Sequence, residues 1–179
     1  MNAGGKNTAQ ARRLILLRHG KADYPLGVAD HDRPLGARGD REAPAAGRWL
    51  VENNLIPDYI MCSDALRTRS TCAWVLSELG EKAPTPYIDS RIYSAGTSGL
   101  CSIINETPDT VSTLLVIGHQ PVLQELALRL ASKDSDQEAV YELAVNYPTL
   151  GMTVMETAEP YSHLDARDAA VTHFVVPRP

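Results

Sequence analysis

The run Leu14-Ile15-Leu16-Leu17 places four apolar side chains in succession and then stops at Arg18-His19-Gly20. A strand wetted on one face alternates apolar and polar residues. An unbroken short run suits a strand covered on both faces, as in a parallel sheet between helices. Gly20 ends the run, so Arg18 and His19 stand at the strand's carboxyl end. That edge of an open α/β sheet is where ligands bind. A guanidinium beside an imidazole there makes an anion site that also holds a base or a nucleophile.

Two later segments share the design. Tyr59-Ile60-Met61-Cys62 ends in Ser63-Asp64, a pair suited to capping a helix. Arg67 then falls in the first turn of that helix. Thr113-Leu114-Leu115-Val116-Ile117 ends in Gly118-His119, with Pro121 at the start of the next helix. A parallel sheet sets Arg18, His19, Arg67 and His119 on one rim.

Between these strands the spacing predicts a helix over Gly36–Asn53, with Ala46, Trp49 and Leu50 as its apolar face. Pro44 lies inside it, so the helix either starts near that residue or bends there. Ser63–Leu79 reads as a helix closed by Gly80, and Gly99–Asn105 as a short helix. Pro121–Leu130 repeats Leu123, Leu126, Ala127 and Leu130 at helical spacing. Pro84–Ile92 reads as a loop and short strand, and Lys133–Glu138 as a charged surface loop. Gly151–Glu156 and Val171–Val176 read as closing strands, an antiparallel pair. Trp49 and Trp74 are most simply core. Strands alternating with helices predict an α/β fold of three layers, α/β/α, with a mostly parallel central sheet and helices on both faces.

A chain of 179 residues, 44% of them hydrophobic, can bury one core. Residues 1–13 are polar, contain Gly4-Gly5 and read as a flexible tail, which leaves 14–179 as a single domain. The balance of 17 basic and 22 acidic residues gives a net charge of −5. That argues against a general nucleic-acid surface and is compatible with a local basic pocket. Cys62, Cys72 and Cys101 are an odd set without close pairing, which favours free thiols in a reducing compartment. No stretch approaches the ~20 apolar residues of a membrane helix. A cytoplasmic protein is expected, monomeric or a small homo-oligomer, without nucleic-acid or membrane partners.

The motifs resemble those of the histidine phosphatase superfamily, which also contains the phosphoglycerate mutases. Arg18-His19-Gly20 is similar to the strand end that supplies its phosphate-accepting histidine. Ser63, Arg67 and Thr71 match its Ser-x-x-x-Arg-x-x-x-Thr segment, and Gly118-His119 its later Gly-His segment. Asp30-His31-Asp32-Arg33-Pro34-Leu35 resembles a stretch of the compact SixA-type phosphohistidine phosphatases. The resemblance runs from Leu14 to at least Leu130 and implies a phosphoglycerate mutase-like fold for the catalytic domain.

It also implies roles. His19 attacks phosphorus in line and becomes phosphohistidine. To attack it must be neutral, with its other ring nitrogen on an acceptor such as a backbone carbonyl. Arg18 and Arg67 hold the phosphate, because a guanidinium fork donates two parallel hydrogen bonds. His119 donates to the phosphate, and Gly20 completes the substrate-binding set. Water then hydrolyses the intermediate. No metal or cofactor is expected, since the guanidinium groups and His119 supply the positive charge. A zinc site from His19, His31, His119 and Cys62 lacks the short paired spacing of zinc ligands.

Two departures bear on the substrate. Many family members use a glutamate from mid-chain as general acid, and Arg91-Ile92-Tyr93-Ser94-Ala95-Gly96 offers none. A phosphoramidate leaves as a neutral imidazole and needs such an acid less. Asp30 is the first candidate for a proton donor or water-orienting group, with Asp23 and Asp32 as alternatives. Asp64 stands where the family usually has proline, either weakening phosphate affinity or capping the helix. The expected activity is that of a metal-independent phosphatase acting on phosphohistidine in a protein. The alternatives are a phosphatase of small phosphate esters and a phosphate-binding module without catalysis.

Overall fold

The computed structural model describes residues 10–179. The expected tail therefore lies largely outside the described residues, and its last two members belong to a strand. That strand, β1 (Arg12–Arg18), has Leu14 to Leu17 fully buried. Leu14 and Leu16 enter one core cluster, while Ile15 and Leu17 enter another. Successive side chains of a strand point to opposite faces, so an unbroken apolar run fills two cores at once. Each such side chain contributes about 1.5–3 kcal/mol against water. The strand is thus fixed from both sides before any polar residue at its end is placed.

Helix α1 (Ala37–Glu42) and helix α2 (Pro44–Glu52) follow. They correct the single helix over Gly36–Asn53. The chain breaks at Ala43, and Pro44 starts the second helix, where its missing N–H costs nothing. Strand β2 (Tyr59–Ser63) leads to α3 (Leu66–Leu79), which ends at Gly80 with φ +63°. Next come β3 (Tyr87–Asp89), the single turn α4 (Arg91–Ser94) and α5 (Thr97–Asn105). Strand β4 (Thr113–Gly118) and α6 (Val122–Leu130) match expectation closely. Helix α7 (Gln137–Val145) shortens the expected charged loop Lys133–Glu138, because Asp136 caps it by accepting from the Ala139 N–H and so starts the helix at Gln137. Strands β5 (Met152–Thr157) and β6 (Ala170–Val175) form the expected antiparallel pair.

The sheet runs β3-β2-β4-β1-β5-β6. Strands β3, β2, β4 and β1 are mutually parallel, and β5 joins β1 antiparallel. Helices α5, α6 and α7 cover one face, and α2 and α3 cover the other. This is the three-layer α/β/α fold. Trp74 departs from its core assignment: it is partly exposed on α3 and donates to Asp40 Oδ1. Trp49 is half-buried, with His173 edge-on at 5.7 Å. Strands β2, β4 and β1 are neighbours, so their carboxyl ends bring Ser63, His119 and His19 to one stretch of rim. Among the described residues no helix is long and apolar enough to cross a membrane.

Candidate active site

The ladder between β1 and β4 extends one residue past Arg18, where the His19 N–H donates to the Gly118 carbonyl at 3.3 Å. His19 Nδ1 lies 2.8 Å from the Gly20 carbonyl. The carbonyl can only accept, so Nδ1 carries the proton and Nε2 keeps its lone pair. Arg67 Nε donates to that Nε2 at 3.3 Å. Burial pushes the His19 pKa down to about 3, and the neighbouring His119 ring and the Arg67 and Arg18 guanidinium groups push the same way. The ring is neutral at physiological pH, as a nucleophile must be.

Gly20 corrects one expectation. It does not line the pocket; both its backbone groups hold the site in place. Its carbonyl fixes His19, and its N–H donates to Thr71 Oγ1 at 3.0 Å. Thr71 in turn donates to the Arg67 carbonyl at 2.8 Å. One hydroxyl thus ties the end of β1 to the helix that carries Arg67.

His119 follows β4, and its ring centroid stands 5.4 Å from that of His19. Its Nε2 meets Ser63 Oγ at 2.8 Å. Ser63 is fully buried and does not cap α3, which starts only at Leu66 without a side-chain cap. Its hydroxyl orients His119 instead, a role the sequence reading missed. His119 Nδ1 is buried and has no partner among the described residues. Burial, with Arg67 next, lowers its pKa to about 4.

Arg18 is held by the chain that leaves α7. Its Nη1 donates to the Tyr147 carbonyl at 2.8 Å, and Tyr147 hydroxyl donates back to the Leu16 carbonyl at 2.7 Å. Arg18 Nε is buried and unpartnered among the described residues. Arg18, His19, Arg67 and His119 line one pocket of about 200 Å³, joined by Lys21 and Arg33. Among the described residues no carboxylate lines it. A pocket lined by four cations, with Arg18 Nε and His119 Nδ1 still able to donate, suits an anion.

Residues 14–91 match the histidine phosphatase superfamily (branch 1). An uncharacterized protein of Mycobacterium tuberculosis is 42% identical over 163 residues, spanning 90% of this chain and all of its own. A candidate phosphohistidine phosphatase SixA from Nakamurella multipartitia superposes with a TM-score of 0.83 at 29% identity, over 96% of this chain and 99% of that one. The protein histidine phosphatase SixA complexed with tungstate shares the fold at 19% identity, with a TM-score of 0.69 over 92% of this chain and 97% of its own.

The chain belongs to the histidine phosphatase superfamily.

Within this histidine phosphatase Asp30 reaches the site, but as a fixed anion. It sits in a 3-10 turn, Asp30–Asp32. Its Oδ2 accepts from Tyr93 hydroxyl at 2.6 Å and from Arg67 Nη2 at 3.2 Å. Arg33 Nη1 binds Oδ1 at 3.0 Å, and Arg67 Nη1 binds the Asp30 carbonyl at 2.7 Å. The Tyr93 and Arg33 bonds hold its carboxyl well below the usual carboxylate range. An acid so strong carries no proton to give at neutral pH, which corrects the proton-donor expectation for Asp30. Its carboxylate grips one edge of Arg67 and leaves the Nε edge facing His19.

Asp23 and Asp32 do not line the pocket. Asp23 accepts from Arg33 Nε through its backbone carbonyl, and Asp32 is exposed beside His31. Asp64 does not cap the helix either. Its Oδ1 lies 3.0 Å from His31 Nε2, which raises the His31 pKa and ties the 3-10 turn to the start of α3. Tyr93 comes from the stretch Arg91–Gly96, which contains no glutamate. Its ring meets His119 edge-on at 5.6 Å and His31 at 4.8 Å. No spacing in the sequence pointed to it, because the contact depends on a four-residue helical turn.

Proposed function

We propose that this chain is a protein phosphohistidine phosphatase working through phospho-His19. The observation that carries the reading is a cationic pocket without an acid. Arg18, Lys21, Arg33 and Arg67 line the pocket, both histidines are neutral, and the carboxylates of Asp30 and Asp64 are ion-paired. An alkyl ester releases an alkoxide and needs a proton donor. A phosphoimidazole, once its other ring nitrogen is protonated, releases a neutral ring and needs none.

His19 Nε2 attacks phosphorus in line; the new N–P bond forms as the substrate N–P bond breaks, and that electron pair stays on the departing imidazole. Arg18 and Arg67 take the equatorial oxygens, and His119 Nδ1–H donates to one of them, with Ser63 hydroxyl donating to Nε2. Fixed donors aimed at the transition-state charge supply most of the acceleration. Water then attacks phospho-His19, the N–P bond returns its electrons to Nε2, and the water's proton passes to the released phosphate.

Steady-state assays on a phosphohistidine peptide and on a panel of sugar phosphates test this. His19→Ala is expected to abolish turnover, and Arg67→Ala to cut it about 10²–10³-fold. Full turnover by His19→Ala, or a preference for sugar phosphates over the peptide, overturns the reading.

A further inference from the structure

We propose that the turn from Tyr24 to Val28 is a docking lip for apolar residues that flank the phosphorylated side chain of a polypeptide substrate. This rests on the phosphohistidine reading above. The pocket, of about 200 Å³, takes the phosphoryl group and the ring that bears it. The rest of any substrate lies across the rim, of which the turn after Tyr24 is one part.

Tyr24 is part of that rim. Its ring lines the pocket, and the Arg33 guanidinium lies over it at 3.3 Å. Beyond it Pro25-Leu26-Gly27-Val28 forms a tight turn, with Val28 N–H donating to the Pro25 carbonyl at 3.4 Å and Gly27 at φ +75°. A positive φ at the third position makes this a type II turn, and Leu26 occupies its outward corner.

Turn corners are usually polar. Here Leu26 is fully exposed, Tyr24 is 74% exposed and Val28 is 39% exposed. Three apolar side chains exposed within five residues stand closer together in the chain than the scattered exposure normal on a surface. Tyr24 joins this run to the pocket lining, and among the described contacts the only charge against the run is the Arg33 guanidinium on the Tyr24 ring. The pocket accordingly reads the phosphate, and the lip reads apolar neighbours. A sugar phosphate surrounds its phosphorus with hydroxyls, which gain nothing against leucine. A peptide with leucine or valine beside the phosphohistidine covers Leu26 and Val28 from water.

Two phosphohistidine peptides of equal length test this, one flanked by leucine and valine and the other by serine and glycine. The wild-type protein is expected to favour the apolar peptide about tenfold in kcat/KM, the scale of burying one such side chain. Leu26→Ser with Val28→Ser is expected to remove that preference. Hydrolysis of p-nitrophenyl phosphate and of the serine-glycine peptide should stay unchanged in this variant. Leu26 packs on nothing, so its replacement leaves the core untouched. Equal turnover of both peptides by the wild type overturns the lip, as does a preference that survives in the variant or an equal loss on all three substrates. Turnover of the aryl phosphate with neither peptide cleaved is a different result: the phosphohistidine reading then fails first and takes the lip with it.

Discussion

At the scale of single residues the site is governed by where protons sit. His19 and His119 have pKa values lowered to about 3 and about 4 by burial, against about 6.5 in an unfolded chain. Between pH 6.5 and 4 the unfolded chain therefore takes up protons that the folded one refuses. Stability is complete above 6.5 and falls as the pH drops through that window. NMR titration of the imidazole rings should show both neutral at pH 5, while His31, raised by Asp64 and Asp32, is protonated there. A midpoint near 6.5 for His19 or His119 counts against the buried, neutral pair. The sequence made these two rings legible, because each ends an apolar run and the runs set the strands. It left Ser63 and Tyr93 hidden as partners of His119. Their contacts join residues 56 and 26 positions apart in the chain, and no local pattern encodes such a distance. Asp30 was legible as a neighbour of the site but not in its charge state, which three separate donors determine.

At the scale of elements the same division holds. Strands β1, β2 and β4 announced themselves because burial on both faces forbids polar residues within them. Helix α7 did not. Its Tyr141 and Val145 are exposed, so apolar residues on its wet side blur the helical pattern. The break between α1 and α2 came down to Pro44, whose two permitted readings only packing could separate. That packing is close. A Cβ on Gly47 would lie 2.7 Å from Glu78 Cβ and 2.9 Å from the Val75 carbonyl, both on α3. Gly47→Ala must therefore part α2 from α3, the helix that carries Arg67 and Thr71. A loss of about 1–3 kcal/mol is expected in urea unfolding, together with weaker phosphate binding. Alanine usually stabilises a helix by roughly 0.5–1 kcal/mol over glycine, so a gain in stability would show that the two helices separate freely.

Across the whole molecule charge is segregated. The chain carries a net −5, yet Arg18, Lys21, Arg33 and Arg67 converge on one small pocket. The repulsion among them opposes folding, and among the described residues only Arg33 and Arg67 are offset by a carboxylate, that of Asp30. An anion that enters the pocket relieves this in the folded state alone, so binding must appear as stability. At 100 times its dissociation constant, tungstate or inorganic phosphate should add about 2.7 kcal/mol. For a chain of this size that is a rise of roughly 5–10 °C in Tm. Arg67→Ala should lose most of the rise even though the pocket stays open, because the guanidinium reaches the anion position from the edge that Asp30 leaves free. Added sodium chloride should weaken the effect by screening the pocket. A Tm that rises equally in Arg67→Ala would place the anion elsewhere on the surface, and the convergence of the three strand ends would then have no ligand to explain it.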